Sequence, residues 1–160
     1  MRNKFSFILV FLLLLFSLSS CNEKFELHKY ESDIFSLDEA IECLERNGYE
    51  IQKNENDLAT ETEYIIEECR IQDENFWCEQ LVDSVFMTAP KRLQKNNGTY
   101  YHVGFTVFSN ESDANRYLSV QKETSLICNR GIRMGISSNV IVETNCEEVI
   151  ELLPVEFLTV

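Results

Sequence analysis

Two prolines and five glycines are spread thinly through 160 residues, and no Ser/Gly-rich stretch gathers them. That scarcity excludes a collagen-like or low-complexity chain and leaves no obvious linker between domains. Positive charge is also in short supply, with 14 Lys and Arg against 27 Asp and Glu. Nucleic-acid backbones are met by Lys and Arg, so a nucleic-acid partner is excluded, as is a polybasic grip on anionic lipid. Histidine occurs twice, and no Cys-x-x-Cys pair or Cys/His spacing suits zinc. An Asp-rich calcium loop with its central glycine is missing as well. GxSxG, HExxH, P-loop and dinucleotide motifs do not occur, so no catalytic residue, cofactor or metal ligand is assigned. Long hydrophobic runs are absent too: Phe5 to Phe16, broken only by Ser6, is the apolar maximum. As a helix it would reach roughly 18 Å, short of the ~30 Å hydrocarbon core of a bilayer.

What is present begins at the amino terminus. A basic "MRNK", the short apolar run and the small residues Ser17, Ser19 and Ser20 describe an export signal, cleaved after residue 20. Leu18-Ser19-Ser20-Cys21 has an apolar residue, two small residues and then cysteine. This stretch resembles the lipobox of bacterial lipoproteins. The resemblance implies that Cys21 receives a thioether-linked diacylglycerol and becomes the mature amino terminus. It implies a lipid bilayer as partner, at the outer face of the cell membrane or at the outer membrane, since two acyl chains anchor stably. A second reading stays open, in which Ser17 and Ser19 frame an ordinary signal-peptidase site and the protein is secreted and soluble. The resemblance covers the first 21 residues and carries nothing about the rest. Without Arg2 and Lys4 the basic count falls from 14 to 12 against 27 acidic residues, a net charge near −15. Such acidity keeps an exported domain soluble.

The six cysteines are Cys21, Cys43, Cys69, Cys78, Cys128 and Cys146. Export permits disulfides. Acylation of Cys21 would leave an odd number, so one thiol stays free. Cys43 lies between apolar neighbours in a helical pattern and is the expected free thiol. Cys69 with Cys78 and Cys128 with Cys146 are the candidate disulfides.

Residues 21–35 read as a lipidated polar tether that becomes ordered near Phe35, with His28 a solvated linker residue, and 36–160 as a single domain. "SLDEAIECLERNGYEI" predicts a helix with a Ser36/Glu39 capping box, a left-handed end at Gly48 and a short strand. "TETEYIIEEC" predicts an acidic helix opened by Thr60 and Glu63. Glu63 and Glu67 face solvent in that reading. Residues 82–87 predict a strand before Pro90. Asn97-Gly98 predicts a hairpin turn leading into "YYHVGFTVF", where Tyr101, Val103, Phe105 and Val107 alternate with His102, Gly104 and Thr106. Asn110 caps the next helix, two strands flank Ser137-Ser138-Asn139, and Thr144 with Glu147 opens a last helix stopped by Pro154.

This order predicts an α+β protein: a single two-layer sandwich, an antiparallel sheet with helices on one face, a ferredoxin-like variant being the first candidate. Such architecture hosts many functions and names none. The functional expectation is an extracytoplasmic binding or interaction module with an envelope protein as partner. Two alternatives are a small envelope enzyme using His102, which sits at a shallow spot beside Gly104, and an anchored immunity protein whose acidic surface masks a basic toxin.

Overall fold

A computed structural model describes residues 27–52, 56–94, 100–123 and 131–158. Helices α1 (Leu37–Arg46), α2 (Leu58–Arg70), α3 (Glu111–Glu123) and α4 (Glu147–Leu152) accompany strands β1 (Glu50–Gln52), β2 (Asp83–Thr88), β3 (His102–Val107), β4 (Arg133–Ser137), β5 (Val140–Thr144) and β6 (Glu156–Phe157). The strands form one six-stranded sheet in the order β1-β2-β3-β5-β4-β6, and every neighbouring pair is antiparallel. The α+β class and the antiparallel sheet are as expected. Among the described residues no helix is long and apolar enough to cross a membrane.

The helices do not share one face. Val103, Phe105 and Val107 of β3 join Met87, Val140 and Val142 in a cluster with Ala40 and Leu44 of α1 and Val149 and Leu152 of α4. The alternate residues Met134 and Ile141 turn to the other side, with Ile65 and Cys69 of α2 and Ala114, Tyr117 and Leu118 of α3. Strand alternation therefore feeds two cores, one per face. The connections explain the division. β3 and β4 are parallel and separated by β5, with α3 between them in sequence; β5 and β6 are parallel and separated by β4, with α4 between them. Both crossovers advance the same way along the sheet, but their leading strands point oppositely. A right-handed crossover then puts α3 and α4 on opposite faces. β6 thus lies outside β4 rather than beside β3, which departs from the ferredoxin-like strand order.

Several start signals are satisfied by other partners than the expected ones. Ser36 precedes α1 but its side chain makes no cap. The Tyr30 hydroxyl accepts the Ser36 amide at 2.7 Å instead. α2 starts earlier than Thr60: Asp57 is its N-cap and accepts from the Thr60 amide at 2.8 Å. Thr144 accepts the Cys146 amide and donates to the His102 carbonyl, so it joins β3 to the entry of α4 rather than capping it. Asn110 caps α3 as expected, its Oδ1 accepting from the Asp113 amide at 2.9 Å. Gly48 has φ +85°, the left-handed end foreseen after α1. The Asn97-Gly98 turn lies outside the described residues.

The tether expected over 21–35 is attached to the domain from His28 onward. The buried Asn47 side chain donates to the His28 carbonyl at 2.7 Å and accepts the His28 amide at 3.0 Å. Tyr30 and Phe35 stack on one another and pack against the first core.

Gly135 is the most closely approached of the described glycines. A methyl group there would lie 2.5 Å from Val155 Cγ1 and 3.0 Å from the Glu156 carbonyl oxygen. Gly135→Ala is expected to push β6 off β4 and cost about 1–2 kcal/mol. Chemical denaturation checks the loss, and amide exchange at Leu158, whose amide donates to the Met134 carbonyl at 2.8 Å, should rise with it. Unchanged exchange would contradict the crowding.

Candidate functional site

The chain between β1 and β2 folds back as α2, and the chain between β3 and β4 returns as α3. Both lie over the same sheet face and leave a cleft of about 540 Å³ between them and the strands. That is a volume of the order taken by small-molecule sites. Its floor is a row across three strands: Phe86 on β2, Gly104 on β3 and Glu143 on β5 are register partners. Gly104 contributes no side chain, and Glu143 occupies the vacated space. A Cβ on Gly104 would sit 3.1 Å from Glu143 Cγ and 3.6 Å from its Oε1. α2 supplies Glu61, Tyr64 and Glu68 to the walls, and α3 supplies Tyr117 and Gln121. Ser84 donates to Glu61 Oε1 at 2.7 Å and ties α2 to β2.

Two polar groups in this cleft lack a protein partner. No fully buried side-chain polar atom of the described residues is left unsatisfied, so both groups open onto the cleft rather than being sealed from water. Tyr117 is 7% exposed, with its ring tilted against Phe108, yet its hydroxyl makes no hydrogen bond among the described residues. The partly buried Glu143 carboxylate likewise has neither hydrogen bond nor ion pair there. Burial first, and the neighbouring Glu68 carboxylate second, raise the Glu143 carboxyl above its ordinary range. Burial, and next the Glu143 charge, push the Tyr117 hydroxyl upward, so it keeps its proton. The lining includes no Lys, Arg or His among the described residues. Negative charge is therefore concentrated in a half-buried cleft, which costs free energy unless a ligand neutralises it.

The sign of the pH effect follows. A carboxyl raised on folding stabilises the fold below its unfolded pKa, and that contribution is lost as pH rises through the folded value. At neutral pH an ionised Glu143 is thus a cost. Glu143→Gln is expected to stabilise the protein by about 1 kcal/mol at pH 7. The gain should close toward pH ~4, where the unfolded carboxyl is itself protonated. Denaturant midpoints of the two proteins at both pH values check this; a less stable variant at pH 7 would refute it.

The residues singled out in the sequence fall elsewhere. Cys21 and Cys128 lie outside the described residues. Cys43, Cys69, Cys78 and Cys146 are free buried thiols, so the structure does not form the Cys69–Cys78 bridge expected from sequence. Cys69 and Cys78 do sit in one hydrophobic cluster. Burial raises both thiols, Cys69 to about 12 and Cys78 to about 11, which keeps them protonated and poorly nucleophilic. Cys43 Sγ donates to the His28 carbonyl, and Cys146 Sγ meets the Tyr49 hydroxyl at 3.3 Å. His102 shares the sheet face with Gly104 but stacks on Phe86 at 5.2 Å and is not among the residues lining the cleft. Burial lowers its pKa. Among the described residues no cluster of His, Cys, Asp and Glu is arranged to hold a metal ion. Glu68, Tyr117 and Glu143 escape a sequence reading because three separated elements supply them. The visible signal was Gly104, a glycine inside a strand, which often marks a close approach to that face. The chain matches no protein-family model, no curated protein and no solved structure.

Proposed function

We propose that this protein is an exported lipoprotein, held at a membrane surface through acylated Cys21, whose domain is a binding module with the cleft beneath α2 and α3 as its ligand site. The observation that carries the binding reading is the pair of unpartnered polar groups, Tyr117 and Glu143, in a cleft of about 540 Å³. Both groups open onto the cleft without a protein partner among the described residues, so a ligand entering it can supply one to each. The anchoring half of the reading rests on Leu18-Ser19-Ser20-Cys21 and the short apolar run before it.

The cleft mouth supplies the test. Tyr64 lines the cleft and is 65% exposed, while Ile71, 77% exposed just beyond α2, does not line it. A photo-crosslinking residue at position 64 in intact cells is expected to capture a discrete ligand or envelope partner that the same residue at 71 does not. Equal labelling from both positions, or none from 64, would remove the cleft as the binding site. Intact mass of the membrane-fraction protein checks the anchor. A chain starting at Cys21 with an added diacylglyceryl mass is expected, and a soluble chain starting at Ser20 would overturn it.

A further inference from the structure

Among the described residues the cleft lining carries charge of one sign, and that decides what chemistry it takes. Glu61 is engaged by Ser84. Glu68 and Glu143 are close enough that the first raises the proton affinity of the second. A carboxylate so placed is poorly suited to anions, whose approach adds a third like charge in a site of reduced dielectric. The hydroxyl of the otherwise buried Tyr117 opens onto the cleft without a partner among the described residues and offers a free lone pair into the same space. Beside these groups stand the faces of Tyr64 and Phe86, 65% and 40% exposed. Aromatic faces beside carboxylates favour an organic cation over a hydrated metal ion, because the ring quadrupole attracts the charge and the ring buries the apolar stem. A metal is further disfavoured by the lack of a ligand cluster among the described residues.

We infer that Glu143, Glu68 and Tyr117 form the recognition site for an alkylammonium or guanidinium group, whose aliphatic stem lies along Phe86 and Tyr64. This deepens the binding reading above and rests on it. The cation donates hydrogen bonds to the Glu143 carboxylate and to the Tyr117 oxygen, while Glu68 adds charge. Gly104 is the specificity element of the floor. A larger residue there would displace the Glu143 side chain, from which a Cβ would be only 3.1 Å away. The same chemistry has two sources, a free amine or the Lys or Arg side chain of a partner protein.

The test is calorimetric titration of the mature chain, purified in detergent, with 1,5-diaminopentane, with a Gly-Lys-Gly amide blocked at its amino terminus, and with neutral 1,5-pentanediol. At least one amine should bind ten times more tightly than the diol. Preference for the diamine identifies a free amine, and preference for the peptide identifies a side chain. Glu143→Gln should weaken the amine at least tenfold and Tyr117→Phe several-fold. Glu156→Gln, an exposed acid on the edge strand β6, removes the same charge and should change nothing. Since Glu143→Gln is expected to be the more stable protein, lost binding there does not report misfolding. Equal affinity for diamine and diol, or an amine affinity indifferent to Glu143→Gln, overturns the cation assignment. Crosslinking from position 64 that persists after such a result leaves the binding reading standing, and crosslinking that also fails removes both.

Discussion

Phe108→Ala is expected to lower stability by about 3–5 kcal/mol, the usual cost of emptying a buried phenylalanine site. Phe108 is fully buried in the core beneath α2 and α3. Its backbone is fixed on both sides, since its amide donates to the Asn139 carbonyl and its carbonyl accepts from the Asn139 side chain. That turn includes Ser138 at φ +54°, so the backbone has little freedom to sink into the vacated space. The cavity therefore stays open, the condition under which truncation costs most. A melting temperature at least about 10 °C lower is expected for a domain of this size. Phe108→Leu should cost about 1–2 kcal/mol, because most of the volume remains. The ring also packs against Tyr117 at 5.3 Å between centroids. Loss of the ring should loosen Tyr117 and weaken amine binding under conditions where the protein is still folded. An alanine variant that melts with the wild type would contradict the closed packing of this core.

Arg92→Met is the second large effect, expected at about 2–3 kcal/mol. The Arg92 guanidinium holds both oxygens of Glu148, at 2.6 and 2.7 Å, and donates to the Asn47 carbonyl at 3.1 Å. The two side chains are 28% and 12% exposed. A bidentate pair this far from water is worth more than a surface ion pair, and removing one member leaves the other desolvated and unpaired. Glu148 then keeps only the Tyr49 hydroxyl, at 3.3 Å. The damage reaches across the first core, because this one contact pins the short 3-10 turn at Lys91–Leu93 to both α4 and the end of α1. Arg92→Met combined with Glu148→Gln should recover most of the loss, since the orphaned charge is gone. A double-mutant cycle by urea denaturation measures the coupling, and simple additivity of the two changes would show that the pair carries no energy of its own.

Strand alternation made much of this fold legible. Val103, Phe105 and Val107 against His102, Gly104 and Thr106 marked β3 and its two faces, and Ser137-Ser138-Asn139 marked the β4–β5 turn. Period-2 alternation does not say what covers each face. That follows from strand order and crossover handedness, which are long-range properties. Helix starts were misread where a capping residue found a better competitor. Glu39 yielded the Ser36 amide to a tyrosine six residues upstream of Ser36, and Thr60 yielded to Asp57, whose carboxylate favours a helix N-terminus. The cleft was the least legible feature. Glu68 belongs to an acidic run that reads as a solvated helix face, and only the packing of α2 over Gly104 turns that side chain inward. His102 drew attention as a rare titratable residue, yet its neighbour Gly104 was the more informative position.

The clamp of Asn47 on His28 has a consequence for how the molecule hangs. Between Cys21 and His28 there are six residues, Asn22 to Leu27. Even drawn out straight, a chain of that length pays out only about 25 Å. If Cys21 carries its lipid, the domain is berthed close to the headgroups on a short mooring line rather than trailing from a long leash. Its tumbling is then restricted, and the cleft samples a thin layer just above the bilayer. Capture should favour molecules that are themselves confined to that layer over those dissolved in the surrounding fluid, because confinement raises the local concentration that the cleft meets. Cutting the hydrogen bonds with Asn47→Ala would lengthen the line only by His28 and Lys29, because Tyr30 and Phe35 still hold the chain to the first core.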